Sequence, residues 1–441
     1  MSSKYLKIIK CISLFMLLFL VNNKIYGNDT KPMQVTDSFY VWFTTGKYEL
    51  IEKHWDQSIL SDAKITNLSE QYTELWKQIT KQYGMFQYVS EYFEIDTTNS
   101  NVFKIVRNIV FEKDSLGNQV ILNKNNEFIG HFIVPAITSN YKDADYVDIS
   151  KFEEFDIAFS DNITGKITIP KNTNKKVPCV VLVHGSGPND LDLSIVGRKP
   201  FRDIAYGLAS NDVAVLRYNK RTFLKKIKDA NNFTIDDETV DDAVAAVDFV
   251  KKNYANRIDK IYILGISQGG YAMPRIAKKS KTASGFISVA GSVRYFELIK
   301  EQFTYLADVW ETESNKLEET IKQIDFAASG NYSKDTTITF LGTSIPAVYL
   351  LDLINYEPVK EFKNEKRPIL FIQGGRDYQV PVKEFDLWKD GLSKNKNCKF
   401  VLIDNLNHIL QEGGGRSVPS EYSEPINVSK KVIDNILDFV K

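Results

Sequence analysis

The chain holds four histidines, and histidine is the side chain best suited to take up a proton at neutral pH and return it. A serine that could use such a base stands in KIYILGISQGGYAM, residues 260–273, where Ser267 lies between Gly265 and Gly269, with Gly270 beside them. An apolar run, a serine fenced by glycines and a helix-compatible YAMPRIAKK suit a sharp strand-to-helix elbow. At such an elbow the serine occupies a strained backbone conformation, and its neighbours two residues away must lack side chains. The plainer alternative is a tight structural turn.

A serine hydroxyl is a weak nucleophile until a base accepts its proton and an acid orients the base. On this kind of elbow the partners follow the serine, acid first and histidine last. His54 and His131 belong to the first part of the chain and His184 precedes the serine. His408, in LIDNLNHIL after the last apolar run, is therefore the expected base. Asp377, in ILFIQGGRDYQVP, is the expected acid because it follows the preceding apolar run in a loop of its own. Asp404 is its rival, four residues before His408 and at or near a strand end.

A tetrahedral intermediate also needs backbone N–H donors aimed at its oxygen. One is expected from Gln268, the residue after the nucleophile, and the other from the glycine-rich loop in VVLVHGSGPND: Ser186, or Gly187. His184 is expected to hold that loop by hydrogen bonds. Asp190 and Asp192, two carboxylates with no third ligand type nearby, are read as a solvated loop and not as a metal site. The chemistry calls for no metal and no cofactor.

Several elements must place these groups. CVVLV, VAVLRY, IYILGI, FISVAG, ILFIQG and KFVLID are short apolar runs of the kind a sheet covered on both faces requires. Helical segments separate several of them. The clearest is TIDDETVDDAVAAVDFVKKN, with Val240, Ala243, Val244, Val247 and Val250 on one stripe and Thr234 with Asp237 as a capping box. Alternating strand and helix predicts a mostly parallel, doubly wound α/β sheet over about 141–441.

Between SVAG and RPILFIQG lie about seventy residues, far more than such connections usually take. Amphipathic stretches there (Phe296, Ile299, Phe303, Leu306 and Trp310; KLEETIKQI; PAVYLLDLI) predict a helical cap over about 293–365. Ahead of the sheet, residues 28–140 read as a small α+β domain: two helices, over Thr36 to Trp55 and SEQYTELWKQITKQYG, then a meander ending near Pro135.

Lysine plus arginine balance aspartate plus glutamate at 56 each, so no overall field favours nucleic acid. With 43% hydrophobic and 12% aromatic residues the composition is that of an ordinary globular chain. Lys4, Lys7 and Lys10 precede an apolar run from Cys11 to Val21, which reads as a secretory signal peptide cleaved near Gly27, residues 1–27. That places the protein outside the cytoplasm, secreted or periplasmic. The run is short of the ~20 residues a membrane span needs; an uncleaved anchor is the alternative. Cleavage leaves Cys179 and Cys398, read as free thiols, with a single bridge between them as the alternative.

Taken together, HGSGPND, KPFRDIAYGLASNDVAVLRYNKR, GISQGG, GGRDYQVP and the NH at 407–408 resemble the α/β-hydrolases, specifically secreted bacterial carboxylesterases of the EstD type. The resemblance spans about 150–441. It implies a serine esterase acting through Ser267, Asp377 and His408. Relatives also carry a leading domain similar to the cone-shaped nuclear transport factor 2 fold, which 36–135 match in element order. Where Asn219 and Leu191 stand, relatives often have aspartate and arginine, which bears on loop contacts and substrate preference. The expected partner is a small-molecule ester, processed through an acyl-enzyme. Two other readings stand beside it: a serine peptidase of the same fold, for which about a hundred leading residues cannot supply a propeller domain, and a non-catalytic binding protein that keeps the fold.

Overall fold

The structure, a computed structural model, describes residues 30–441 apart from 63–64, 66, 97–101, 135, 137–140, 172, 196, 310–311, 313 and 342. The expected signal segment and Trp310 lie outside the described residues. The described chain forms two compact units. One runs to Tyr141 and includes Ile195 and Gly197; the other holds Lys142–Ser194 and Arg198–Lys441.

In the first unit α1 (Thr30–Thr44), α2 (Tyr48–Lys53), α3 (Gln57–Asp62) and α4 (Leu68–Tyr83) precede an antiparallel meander of β1 (Phe86–Asp96), β2 (Val102–Phe111), β3 (Ser115–Asn123) and β4 (Phe128–Val134). The single helix expected from Thr36 to Trp55 is in fact two. Gly46 breaks it with a φ of 72°, a left-handed conformation that glycine adopts without steric cost. Phe39 and Phe43 from α1 and Ile51 from α2 still reach one core, with Tyr72, Val120 and Phe128. The ring of His131 lies 4.7 Å from that of Phe39 and 5.1 Å from that of Phe43.

The second unit opens with an antiparallel pair, β5 (Phe152–Phe159) and β6 (Ile163–Pro170), which the apolar-run reading left unassigned. Glu153, Glu154 and Asp156 interrupt β5, and an edge strand with one wet face has no continuous apolar run to find. There follow β7 (Val177–Val183), α5 (Pro200–Ala209), β8 (Ala214–Tyr218), α6 (Asp241–Asn253), β9 (Ile258–Ile266), α7 (Gln268–Tyr271), α8 (Met273–Lys279) and β10 (Gly285–Val289).

The cap comprises α9 (Tyr295–Val309), α10 (Ser314–Ser329), a hairpin of β11 (Thr337–Phe340) and β12 (Thr343–Pro346), α11 (Ala347–Ile354) and α12 (Pro358–Phe362). The three expected helical stretches are α9, α10 and α11; the hairpin and α12 are additions. Then come β13 (Ile369–Gly374), α13 (Val382–Gly391), β14 (Cys398–Ile403) and α14 (Lys430–Val440).

Across the sheet the order is β5-β6-β8-β7-β9-β10-β13-β14. Every pairing from β8 to β14 is parallel, and β6 joins β8 antiparallel. The six apolar runs are therefore β7, β8, β9, β10, β13 and β14. Parallel pairing points their carboxyl ends to one edge, which then carries the loops bearing Ser186, Ser267, Asp377 and His408. Ahead of α6 the chain takes a wider turn, a π-helical segment over Asp236–Val240 that buries Glu238, Thr239 and Val240. The Asp237 carboxylate accepts both the backbone N–H and the hydroxyl of Thr234, at 2.9 and 2.7 Å. Cys179 and Cys398 carry free thiols.

Candidate active site

Ser267 links β9 to α7 with φ 55° and ψ −114°, a region that costs an L-residue strain and that surrounding structure must enforce. Two bonds enforce it: the Ser267 N–H donates to Val289 O at the end of β10, and its carbonyl accepts the Tyr271 N–H, both at 2.9 Å. The glycines are required by contact. A Cβ on Gly265 would stand 2.3 Å from Gly269 O, and one on Gly269 would stand 2.7 Å from Val183 O. The helix thus starts directly against the strands, with Ser267 at the turn.

His408 and Asp377 meet. The His408 Nδ1–H donates to Asp377 Oδ2 at 2.8 Å; since a carboxylate only accepts, Nδ1 carries a proton, and the neutral tautomer with that proton has its acceptor at Nε2. Asp377 is 4% exposed. Its Oδ1 takes the backbone N–H groups of Gln379 (2.9 Å) and Val380 (2.8 Å), and its Oδ2 also takes Gln373 Nε2 (3.3 Å). The loops after β13 and β14 are joined along their backbones: Gly375 N–H donates to Ile403 O and Arg376 N–H to Leu406 O, both at 2.9 Å. Arg376 also binds Gly414 O and Gly415 O, each at 2.9 Å. This joining brings Asp377 and His408 together. Asp404, the rival acid, is exposed in the turn directly after β14.

The HGSGP loop packs on the elbow: a Cβ on Gly185 would lie 3.3 Å from Ser267 Cβ and 3.8 Å from its Oγ. Asn189 Nδ2 gathers the carbonyls of Ser186 (2.9 Å), Gly187 (3.2 Å) and Gly185 (3.3 Å) on one side. Because a trans peptide is planar, its N–H points away from its carbonyl, so the Ser186 N–H, on the Gly185 peptide, is turned to the opposite side. The Ser186 hydroxyl is buried without a hydrogen-bond partner. His184 holds the loop as expected, donating from Nε2 to Tyr218 O at 2.5 Å. Burial pushes its pKa down to about 3.

One expectation is overturned. Asp190 and Asp192 do not form a solvated loop. Asp192 is 8% exposed and accepts Arg217 Nε at 2.8 Å and Lys199 Nζ at 3.2 Å. Burial alone would raise its pKa, yet Arg217 and Lys199 hold it below the usual carboxylate range. Asp190 accepts the backbone N–H and hydroxyl of Ser194, and burial followed by the nearby Asp192 charge pushes its pKa up. The reason is Arg217, a lone cation on the otherwise apolar β8, which needs a buried partner that sequence order does not reveal. The two departures, Asn219 and Leu191, touch one another: Leu191 N–H donates to Asn219 Oδ1 at 2.8 Å.

Three residues of the site escaped the sequence reading: Lys220, Glu238 and Tyr349. Lys220 Nζ donates to Gly185 O, Glu238 Oε1 and Gln268 Oε1, and Tyr349 OH from the cap helix α11 donates to Glu238 Oε2. A signal existed for Glu238, which shares with Asp242 and Ala246 one helical face at four-residue spacing, the face that α6 buries.

Esterase EstD of Thermotoga maritima is 36% identical to the chain over 365 residues, 82% of this chain and 85% of that one. The chain belongs to that esterase's family within the α/β-hydrolases. The prolyl oligopeptidase family, peptidase family S9, matches residues 205–346 of this α/β-hydrolase, a segment holding β9 and the elbow but neither Asp377 nor His408. Among solved structures, Est1E from Butyrivibrio proteoclasticus is 17% identical, with 65% of this chain and 98% of that one covered and a TM-score of 0.42. The Pyrococcus horikoshii acylaminoacyl peptidase is 16% identical, with 79% and 49% covered and a TM-score of 0.42.

Proposed function

We propose that this α/β-hydrolase is a serine carboxylesterase acting on small acyl esters. Ser267 Oγ attacks the acyl carbon while His408 Nε2 takes its proton. The oxyanion that forms is held by the backbone N–H groups of Ser186 and Gln268. Collapse returns the proton to the departing alcohol and leaves an acyl-enzyme, which water opens by the same steps in reverse. Asp377 keeps the proton on Nδ1, so that Nε2 faces the reaction as an acceptor, and stabilises the imidazolium that follows. The observation that carries the reading is the 2.8 Å bond from His408 Nδ1 to Asp377, formed at the sheet edge that also bears the Ser267 elbow. The kinship with an esterase over most of the chain supports it.

The peptidase reading keeps one specific support, the family match over residues 205–346. Turnover of p-nitrophenyl acetate and butyrate beside aminoacyl and Xaa-Pro amides separates the two, with esters hydrolysed far faster expected here. Ser267→Ala should abolish both turnover and labelling by a fluorophosphonate in a folded protein; labelling retained by that variant would remove Ser267 from its role. Two further parts of the proposal concern the rest of the chain. Residues 1–27 direct export, which amino-terminal sequencing of the mature protein checks. The first unit adopts a nuclear transport factor 2-like cone, a reading supported by its order of helices followed by a meander.

A further inference from the structure

We propose that Lys220, Glu238 and Tyr349 are positioning residues, a buried brace that fixes both halves of the oxyanion hole and ties them to the cap; the inference rests on the serine-esterase reading above. Lys220 and Glu238 are 1% and 4% exposed. A buried ion pair is weak evidence for a stabilising role, since apolar residues of similar volume often serve folding as well. What distinguishes this pair is where its bonds go.

The three protons of Lys220 Nζ are all used: on Gly185 O at 2.8 Å, on Glu238 Oε1 at 2.6 Å and on Gln268 Oε1 at 2.9 Å. Gln268 Nε2 donates to Glu238 Oε2 at 3.1 Å and to Tyr349 OH at 2.9 Å. Tyr349 OH in turn donates to Glu238 Oε2 at 2.5 Å, and Thr239 Oγ1 adds a bond to Gln268 Oε1 at 3.3 Å. No side-chain atom of this network is left without a partner. A fully satisfied buried polar network of this kind rigidifies the groups it joins.

Both ends bear on the hole. The Gly185 carbonyl belongs to the peptide whose nitrogen is that of Ser186, so an ammonium on the oxygen fixes the plane of that peptide and polarises its N–H toward an anion on the other side. The Gln268 side chain, held at its oxygen and its nitrogen, prevents the residue from swinging and so fixes its own N–H. Tyr349 comes from α11, and its ring stacks on Phe233 at 6.1 Å, so the position of the cap helix is coupled to the hole. Because the oxyanion exists only after attack, a misplaced donor raises the barrier and leaves substrate binding nearly unchanged.

The test compares the parent with Tyr349→Phe, which removes one hydroxyl, and with Lys220→Met/Glu238→Gln, which removes both charges together and leaves neither buried alone. Read out are kcat and KM for p-nitrophenyl acetate, inhibition by a trifluoromethyl ketone whose adduct carries the oxyanion, and Tm. The double variant is expected to lose roughly 10- to 100-fold in kcat with KM within about threefold, and to lose ketone affinity by a similar factor; loss of a whole donor costs about 10²–10³. Tyr349→Phe should lose about three- to tenfold in the same pattern. A folded double variant with unchanged kcat overturns the brace, as does a kcat loss with ketone affinity intact. Should the double variant not fold, unchanged kinetics in Tyr349→Phe overturn it alone. A parent protein that neither turns over esters nor takes up a fluorophosphonate would end the serine-esterase reading and the brace with it, whereas an active parent with indifferent variants ends only the brace.

Discussion

At the scale of single residues, the proposed role of Asp377 sets it apart from Asp404, because only Asp377 is bonded to His408. Asp377→Asn keeps the shape of the site and the bonds from Gln379 and Val380, but it removes the charge that selects the Nδ1–H tautomer. Turnover should fall by up to roughly 10⁴-fold. Asp404→Asn, an exposed change in the turn after β14, should cost less than about threefold, in line with small effects at exposed sites away from the chemistry. Steady-state kinetics on one good ester checks both, and a severe loss in the second with a mild one in the first would reverse the assignment. His184 carries a different prediction. Its pKa in the folded chain, about 3, lies below the ordinary 6.5, so the unfolded state binds the proton first as pH falls. The stability due to neutral His184 is complete above pH 6.5 and is lost as pH drops toward 3, at up to about 1.4 kcal/mol per pH unit. Urea unfolding at pH 7, 5.5 and 4.5 should show a shallower decline in His184→Gln than in the parent; equal slopes would count against this account.

At the scale of elements, the elbow depends on how closely backbone approaches backbone. In Gly265→Ala the new methyl group would meet Gly269 O at 2.3 Å, and because the obstacle is main chain, strand or helix must move. A loss of several kcal/mol in stability, on the order of the most damaging core changes, is expected together with loss of fluorophosphonate labelling. Gly414→Ala is the control: nothing lies within 4 Å of its added Cβ, and both Tm and labelling should be retained. The cap helix α9 rests on the acid and base loops, with Gln302 Nε2 donating to Gln379 O at 2.6 Å and Tyr305 OH to Ser417 O at 2.5 Å. Phe303 of α9 packs partly buried against the main hydrophobic core, so Phe303→Ala should lower stability by roughly 2–4 kcal/mol, near the lower end for removing a buried phenylalanine. Thermal melts beside an ester chain-length panel would show whether it shapes the pocket as well.

At the scale of the molecule, two units have separate cores: Phe39, Phe43, Tyr72 and Phe128 in one, and the buried strands and helices around the parallel sheet in the other. Units with their own cores unfold as cooperative blocks of their own. Calorimetry of the whole chain should therefore resolve two transitions, with ester turnover lost along with one of them. A single transition fitted by one calorimetric enthalpy would contradict this.

What could be read along the chain was whatever local pattern and chain order fix. Six apolar runs became the parallel strands because a strand buried on both faces must be apolar throughout. The elbow glycines mark a contact that no side chain survives, and the order serine, acid, histidine follows from which strands come first. Helix length in the first unit was not legible because the spacing of Phe39, Phe43 and Ile51 runs on through Gly46, where a left-handed backbone conformation separates two helices. Folding alone decided the pairings: that Arg217 draws Asp192 out of solvent, that the loops after β13 and β14 join so that Asp377 and not Asp404 meets His408, and that Lys220 and Glu238 find one another beside Gln268. A buried charge is tolerated only with a partner, but the partner is chosen by proximity in three dimensions, and between residues as distant in sequence as Glu238 and Tyr349 no spacing rule records it.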